Sequence, residues 1–257
     1  MHKPVFVCGF PKSGTTLIAQ LFNNLPDTFI DIELHFAPFF LRMIRDTLLS
    51  GEIMTTVKSP DPLAERIMQL SNNDFEDYYE WCKTSFGSLH TGWKQGIRWG
   101  NNCKPIIDHV PVLRKLFPEA IVINMMRDPR DVWASIKLAK WNGLEYFNDM
   151  TFFLSRYRYI YLTASQDGIF TLKYEDLVND PQTAFDLIGE KFKPEYIAGT
   201  GKTFHYRTLP IPPSKPWSEM RDEVMTSRIG RYKTDLPDYE IEIIEDAFGD
   251  ILEKHYS

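Results

Sequence analysis

Pro4-Val5-Phe6-Val7-Cys8-Gly9-Phe10-Pro11-Lys12-Ser13-Gly14-Thr15-Thr16 lies at the start of the chain. A short apolar run leads into a turn rich in glycine and hydroxyl groups, and residues 17–25 follow with the spacing of an amphipathic helix. A strand–loop–helix unit of this kind holds phosphates on backbone N–H groups at the helix N-terminus. Gly9 and Gly14 keep the GxxxxG spacing of the nucleotide-hydrolase loop, but Thr15 stands where that loop needs lysine. The lysine lies inside the turn instead, at Lys12. Taken without its neighbours, the same stretch also fits a surface turn that happens to be rich in Gly and Thr.

The rest of the chain supports the first reading. Residues 120–126, Ala-Ile-Val-Ile-Asn-Met-Met, form a continuous apolar run of the sort found in a parallel strand buried on both faces. A helix over 110–117 precedes it, and helical periodicity over 128–140 follows, with Pro129 acceptable near the start. A helix over 151–165, a strand over 168–174 and a helix over 181–191 continue the alternation. The expected fold class is therefore α/β, a three-layer fold with a central parallel sheet flanked by helices, in one domain spanning 1–257. Between these landmarks the periodicity predicts helices over 38–49, 61–70 and 75–86, the last two separated by Asn72-Asn73. Residues 27–32 give mixed signals, and the Gly-, Trp- and Asn-rich stretch 87–102 reads as loop. The Pro-rich stretch 199–220 reads as a long loop suited to covering a site, and 238–255 as a closing amphipathic helix.

Composition narrows the function classes. At 257 residues, 43% hydrophobic and 25% charged, the chain is ordinary for a globular protein with a real core. A net charge of −6 argues against a broad nucleic-acid footprint while allowing a local basic pocket. Cys8, Cys82 and Cys103 form neither a zinc spacing nor a disulfide framework, which suits a reducing compartment. No apolar run approaches membrane-spanning length, and the first strand begins almost at Met1. A cytoplasmic location and no membrane partner are the expectation.

Four segments carry the chemistry. The loop Pro11-Lys12-Ser13-Gly14-Thr15-Thr16 resembles the 5′-phosphosulfate loop of sulfotransferases that use 3′-phosphoadenosine 5′-phosphosulfate (PAPS). Arg127, at the end of the buried strand, and Ser135, eight residues on, can converge on one phosphate. Alone, this Arg- and Asp-rich run would also fit an exposed, salt-bridged turn; beside the loop it resembles the family's 3′-phosphate motif, which has the same spacing. Tyr174-Glu175-Asp176-Leu177 resembles the family segment whose tyrosine packs near the adenine, though a strand-end core aromatic fits too. Ser227-Arg228-Ile229-Gly230-Arg231-Tyr232-Lys233 is similar to the late segment that closes over the 3′-phosphate, without the Arg-Lys-Gly triplet of the cytosolic branch. The four segments stand in family order. The resemblance implies a P-loop-like fold and transfer of a sulfuryl group from PAPS to a hydroxyl or amine acceptor. Adenosine 3′,5′-bisphosphate (PAP) is the implied product, and no metal is required. Lys12 would then neutralise charge on the leaving 5′-phosphate.

The acceptor hydroxyl needs a general base. Glu33, seventeen residues after Thr16, falls where tyrosylprotein-type members carry a catalytic glutamate, and His35 stands where they have arginine. His109, in a His-Val-Pro run similar to the His-Leu-Pro of cytosolic members, is the rival, and His35 is a third option. Relatives also place a lysine in a Gly-acidic-Lys-Thr-Pro run; the matching residue here is Asn102, with Lys104 two positions on. Gly199-Thr200-Gly201-Lys202-Thr203 mimics an NTPase loop, but Tyr196 replaces its first glycine.

Two other functions fit parts of the pattern: a nucleoside or small-molecule kinase on a P-loop scaffold, and a non-catalytic PAPS- or PAP-binding protein. The acceptor is expected to be a small or soluble molecule, bound by loops around 35–50, 87–103, 141–150 and 203–220. Trp99, Trp141, Phe147 and Trp217 are possible lining residues, with core packing the alternative for each. Sequence leaves the oligomeric state open.

Overall fold

The computed structural model describes residues 3–34, 36–56, 72–139, 148–165, 168–193 and 228–256. Five strands form one parallel sheet: β1 (Val5–Gly9), β2 (Thr28–Ile32), β3 (Arg98–Asn102), β4 (Ile121–Met126) and β5 (Ile169–Lys173), in the order β2-β3-β1-β4-β5. Val7 pairs with Asn102 on one side and Ile123 on the other, which puts β1 at the centre.

Alternation along β1 divides the interior in two. Phe6 and Cys8 point into a core that includes Leu41, Phe86, Phe117, Phe153 and Phe248. Val5 and Val7 point into a second core with Ile18, Leu21, Phe22, Ile123 and Phe185. The first core is closed by α2 (Phe36–Thr56), α3 (Asn72–Ser88), α5 (Val110–Leu116), α6 (Pro129–Leu138), α7 (Met150–Ala164) and α11 (Asp238–Tyr256). The second is closed by α1 (Thr15–Asn23), α8 (Tyr174–Asn179) and α9 (Gln182–Asp186). The result is three layers, helix–sheet–helix, as the apolar runs predict. Each fully buried large side chain contributes about 1.5–3 kcal/mol relative to exposure.

Strand order positions the site. The chain leaves β1 toward β2 and β3 on one side, then crosses to β4 on the other, so the loops after β1 and β4 adjoin at the carboxyl edge. That crevice is where open parallel sheets bind ligands.

The structure corrects several local readings. Residues 87–102 are not loop throughout: α4 (Thr91–Gln95) and β3 lie within them. The sequence Arg-Trp-Gly-Asn-Asn lacks the apolar signature of a strand, yet every residue is buried between β1 and β2. Gly100 is required there because its Cα faces the Val5 carbonyl too closely for any Cβ. The mixed stretch 27–32 becomes edge strand β2, paired along its length with β3. Asn72-Asn73 begin α3 rather than interrupting two helices. The expected helix over 181–191 shrinks to α9, and Gly189 adopts φ 72 shortly after it. The readings at 61–70, 199–203 and 199–220, together with Trp141, Phe147 and Trp217, fall outside the described residues. Trp99 is 2% exposed and packs edge-on against Phe6 and Phe117, a core position rather than a pocket wall. Among the described residues, no helix is long and apolar enough to cross a membrane.

Candidate active site

The loop after β1 is held by its own backbone. Ser13 donates both its N–H (3.2 Å) and its hydroxyl (2.6 Å) to the Phe10 carbonyl, closing the turn around buried Pro11. Lys12 sits at φ 73, a left-handed conformation that costs a non-glycine residue energy and marks functional loops. Gly14, at φ 97, is the N-cap of α1, and the Ile18 N–H bonds its carbonyl at 3.2 Å. The N–H groups of Thr15, Thr16 and Leu17 therefore precede the first intrahelical donor. Neither a side-chain cap among the described residues nor an acidic residue in the first turn neutralises this helix end. Its partial positive charge is open to an anion. Thr15 and Thr16 are buried beneath the loop.

Arg127 joins this loop to a second cluster. It is 4% exposed and follows directly on β4, whose residues are all buried. One guanidinium nitrogen donates to the Lys12 carbonyl and to the Ser135 hydroxyl, each at 3.2 Å; the other donates to the Arg228 carbonyl at 2.5 Å. Its face lies 4.5 Å from the centre of the Tyr174 ring, and that ring also covers Gly14. The guanidinium Nε–H has no partner among the described residues. The Tyr157 hydroxyl donates to the Arg127 carbonyl at 2.5 Å, and the Glu175 carboxylate accepts the Asp128 N–H at 3.1 Å. Asp128 caps α6 by accepting the Arg130 N–H, with Pro129 in the first helical position.

The late segment docks here as well. Asp131, fully buried, accepts the N–H groups of Gly230 (2.7 Å) and Tyr232 (3.0 Å) and lies 3.8 Å from Arg127. Burial raises the Asp131 carboxyl above its ordinary range, against the pull of those two amides and of Arg127. Arg231, at the N-terminus of α10 (Tyr232–Asp235), turns away to pair with Asp235 at 2.6 Å. Thus Arg127, Ser135, Tyr174, Arg228 and Gly230 come together, while the Arg231 side chain is engaged on its own helix. Ser227 and His35 fall outside the described residues.

A third group borders the loop. Glu33 follows β2 at φ 56, with its N–H on the Asn102 carbonyl at 2.8 Å. Its carboxylate forms an ion pair with the Lys104 ammonium, and both side chains are about one-fifth exposed. The Lys12 ammonium is pulled down to about 8, chiefly by burial and then by the positive charge of Lys104; Glu33 opposes this and Arg228 adds to it. Lys12, Lys104, Glu33 and Arg228 therefore share one electrostatic environment, with three cations to one carboxylate. Asn102 is fully buried, and neither atom of its side-chain amide has a partner among the described residues. Lys104, two residues on, supplies the cation next to Glu33.

His109 is placed differently. It is 8% exposed where a 3-10 helix (Lys104–His109) meets α5. Burial lowers its imidazole pKa, and the charges acting on it most strongly are Asp108, Arg45, Arg42 and Asp46, none of them in the loop after β1. Asp131 and Tyr157 are the residues that reading by motif overlooked. Asp131 lies inside the Arg-Asp-Pro-Arg-Asp run, four residues from both Arg127 and Ser135, and that spacing is the signal for it. Tyr157 lacks any such local signal.

A model of the sulfotransferase family matches residues 4–196. No curated protein matches the chain by sequence. Among solved structures, the chain is similar to the sulfotransferase domain from the curacin biosynthetic pathway, with TM-score 0.56 and 16% identity over 97% of this chain and 98% of that one. It is also similar to the sulfotransferase domain from the Synechococcus PCC 7002 olefin synthase, with TM-score 0.54 and 16% identity over 96% and 95%. At such identities the likeness concerns the fold; the family match covers well over half the chain and includes the loop, the Arg127–Ser135 pair and Tyr174. The chain belongs to the sulfotransferase family and is an enzyme of sulfuryl transfer.

Proposed function

We infer that the protein moves the sulfuryl group of PAPS to a hydroxyl or amine of a small or soluble acceptor and releases PAP. The observation that carries this reading is the direct bond from Arg127 to the Lys12 carbonyl. It joins two anion sites: the N-terminus of α1 with Lys12, and the Arg127–Ser135 pair with the Arg228 segment. PAPS carries two separate phosphates, on the 5′ and 3′ positions, and such a pair of sites suits it. A Mg·ATP kinase would instead have a lysine at position 15, where Thr15 stands.

In this reading the loop amides, Thr15 and Thr16 hold the 5′-phosphate, and Lys12 offsets the charge that grows on it as the S–O bond breaks. Arg127 and Ser135 hold the 3′-phosphate, with Arg228 and Gly230 closing over it and Tyr174 fixing Arg127. Sulfuryl transfer resembles phosphoryl transfer, so in-line positioning and electrostatics supply most of the rate. Glu33 accepts the acceptor's proton as its oxygen or nitrogen bonds to sulfur, and Lys104 orients that carboxylate. The shared surroundings of Glu33 and Lys12 favour Glu33 over His109 as base. Three buried cysteines, none of them in a disulfide, support a reducing, cytoplasmic setting. The packing of α11 onto the same core as β1 supports one domain over 1–257.

Thermal melting with PAP, ADP and Mg·ATP at matched concentrations tests the donor, because a ligand that binds only the folded state raises Tm. A rise with PAP alone is expected. A rise with Mg·ATP and none with PAP overturns the assignment in favour of a kinase.

A further inference from the structure

Asp131 is a carboxylate with no exposure, set 3.8 Å from the arginine assigned to the 3′-phosphate. A buried anion next to an anion site is unfavourable by charge alone, so its presence calls for a compensating role. Its hydrogen bonds show one. Oδ2 accepts the Gly230 N–H at 2.7 Å and Oδ1 the Tyr232 N–H at 3.0 Å, so each oxygen takes one amide of the late segment. Those bonds bridge 99 and 101 residues of sequence. They hold a turn in which Gly230 adopts φ 72, and the same turn presents the Arg228 carbonyl to Arg127 at 2.5 Å. Arg228 also acts electrostatically on Lys12 and Tyr174, so the placement of this segment reaches the loop itself. Asp131 lies in the first turn of α6, one helical turn before Ser135 on the same face and four residues after Arg127, which precedes the helix.

We propose that Asp131 is a positioning residue for the donor's 3′-phosphate: without touching the ligand, it fastens residues 228–232 against the Arg127–Ser135 pair. The inference rests on the donor reading given above. A second tether, Arg130 stacked 4.3 Å from the centre of the Tyr232 ring, holds the far end of the segment. Asp131 holds the Gly230 turn between that tether and the Arg228 carbonyl, which Arg127 takes.

The test compares PAP with adenosine 5′-monophosphate, which lacks the 3′-phosphate, by calorimetry on the wild type, D131N and G230A. G230A strains the same turn, where a Cβ meets nothing within 4 Å among the described residues, and it guards against D131N failing to fold. The expected result is a PAP affinity reduced about tenfold in both variants, with the monophosphate changed less than about twofold. The KM for PAPS rises while kcat at saturation holds. Equal weakening of both ligands, or no change in either, overturns the positioning role while leaving the donor assignment intact. A wild-type protein that does not distinguish PAP from the monophosphate overturns both.

Discussion

Arg127 donates a hydrogen bond to the backbone carbonyl of Lys12 at 3.2 Å, although 115 residues separate them in sequence. The bond exists because β1 and β4 are neighbours in parallel register, so the loops at their carboxyl ends must meet. Arg127 therefore does two things: it supplies charge to one anion site and steadies the backbone of the other. Arg127→Ala is expected to weaken PAP binding by about tenfold to hundredfold, the range for losing charge-assisted bonds. Arg127→Lys should restore little, since one ammonium cannot reach Lys12, Ser135 and Arg228 at once. Calorimetry decides; unchanged affinity in Arg127→Ala would remove this residue from the site.

Lys12 gives the binding reaction a pH dependence whose sign follows from its surroundings. Its ammonium is pulled down to about 8 in the free protein, by burial first and then by Lys104. A bound phosphate favours the charged form and raises that value. Affinity for PAP should be full below pH 8 and fall as pH rises through and above it, with proton uptake on binding at about pH 8.5–9. Titrations in buffers of different ionisation enthalpy measure that uptake. Lys12→Arg should abolish it, and the same uptake persisting in Lys12→Arg would assign the titration to another group.

Glu33 and His109 make opposite predictions. Glu33→Gln should lower kcat by about 10²- to 10⁴-fold, the usual contribution of a general base, and leave PAP affinity near its original value. His109→Ala should keep most of the turnover. Lys104→Ala should lower kcat by a smaller factor, because it frees the carboxylate it orients without removing it. Wild-type turnover in Glu33→Gln would refute the assignment of the base.

The two loop glycines should differ in how they tolerate a methyl group. At Gly9 a Cβ would lie 2.4 Å from the Met125 carbonyl oxygen, a backbone atom of β4 that cannot yield. At Gly14 it would lie 2.7 Å from the Tyr174 ring, a side chain that can. Gly9→Ala is expected to be poorly folded. Gly14→Ala should lose about 1–3 kcal/mol through strain and contact, with part of it recovered in the Gly14→Ala, Tyr174→Ala pair. Chemical denaturation of the four proteins measures this coupling, and strict additivity would contradict the contact.

Much of this molecule is legible before any coordinates exist. The run 4–16 reads as strand, anion loop and helix because apolar content, glycine spacing and helical period are all properties of neighbouring residues. The run 120–135 is legible for the same reason, with Arg127 at the end of the apolar strand and Ser135 about two turns into the helix that follows. β3 was hidden: Arg-Trp-Gly-Asn-Asn has no local strand signature, and it extends because β1 and β2 pair with it on both sides.

Short-range chemistry thus announced the loop, the buried strand and the class of reaction, since each is written within a few consecutive residues. Folding alone brought Lys104 to Glu33 across 71 residues, Arg127 to Lys12 across 115, and Asp131 to Gly230 across 99. Strand order decides such meetings, and strand order is set by the packing of the whole sheet and its two helical layers, which no single stretch of the chain contains.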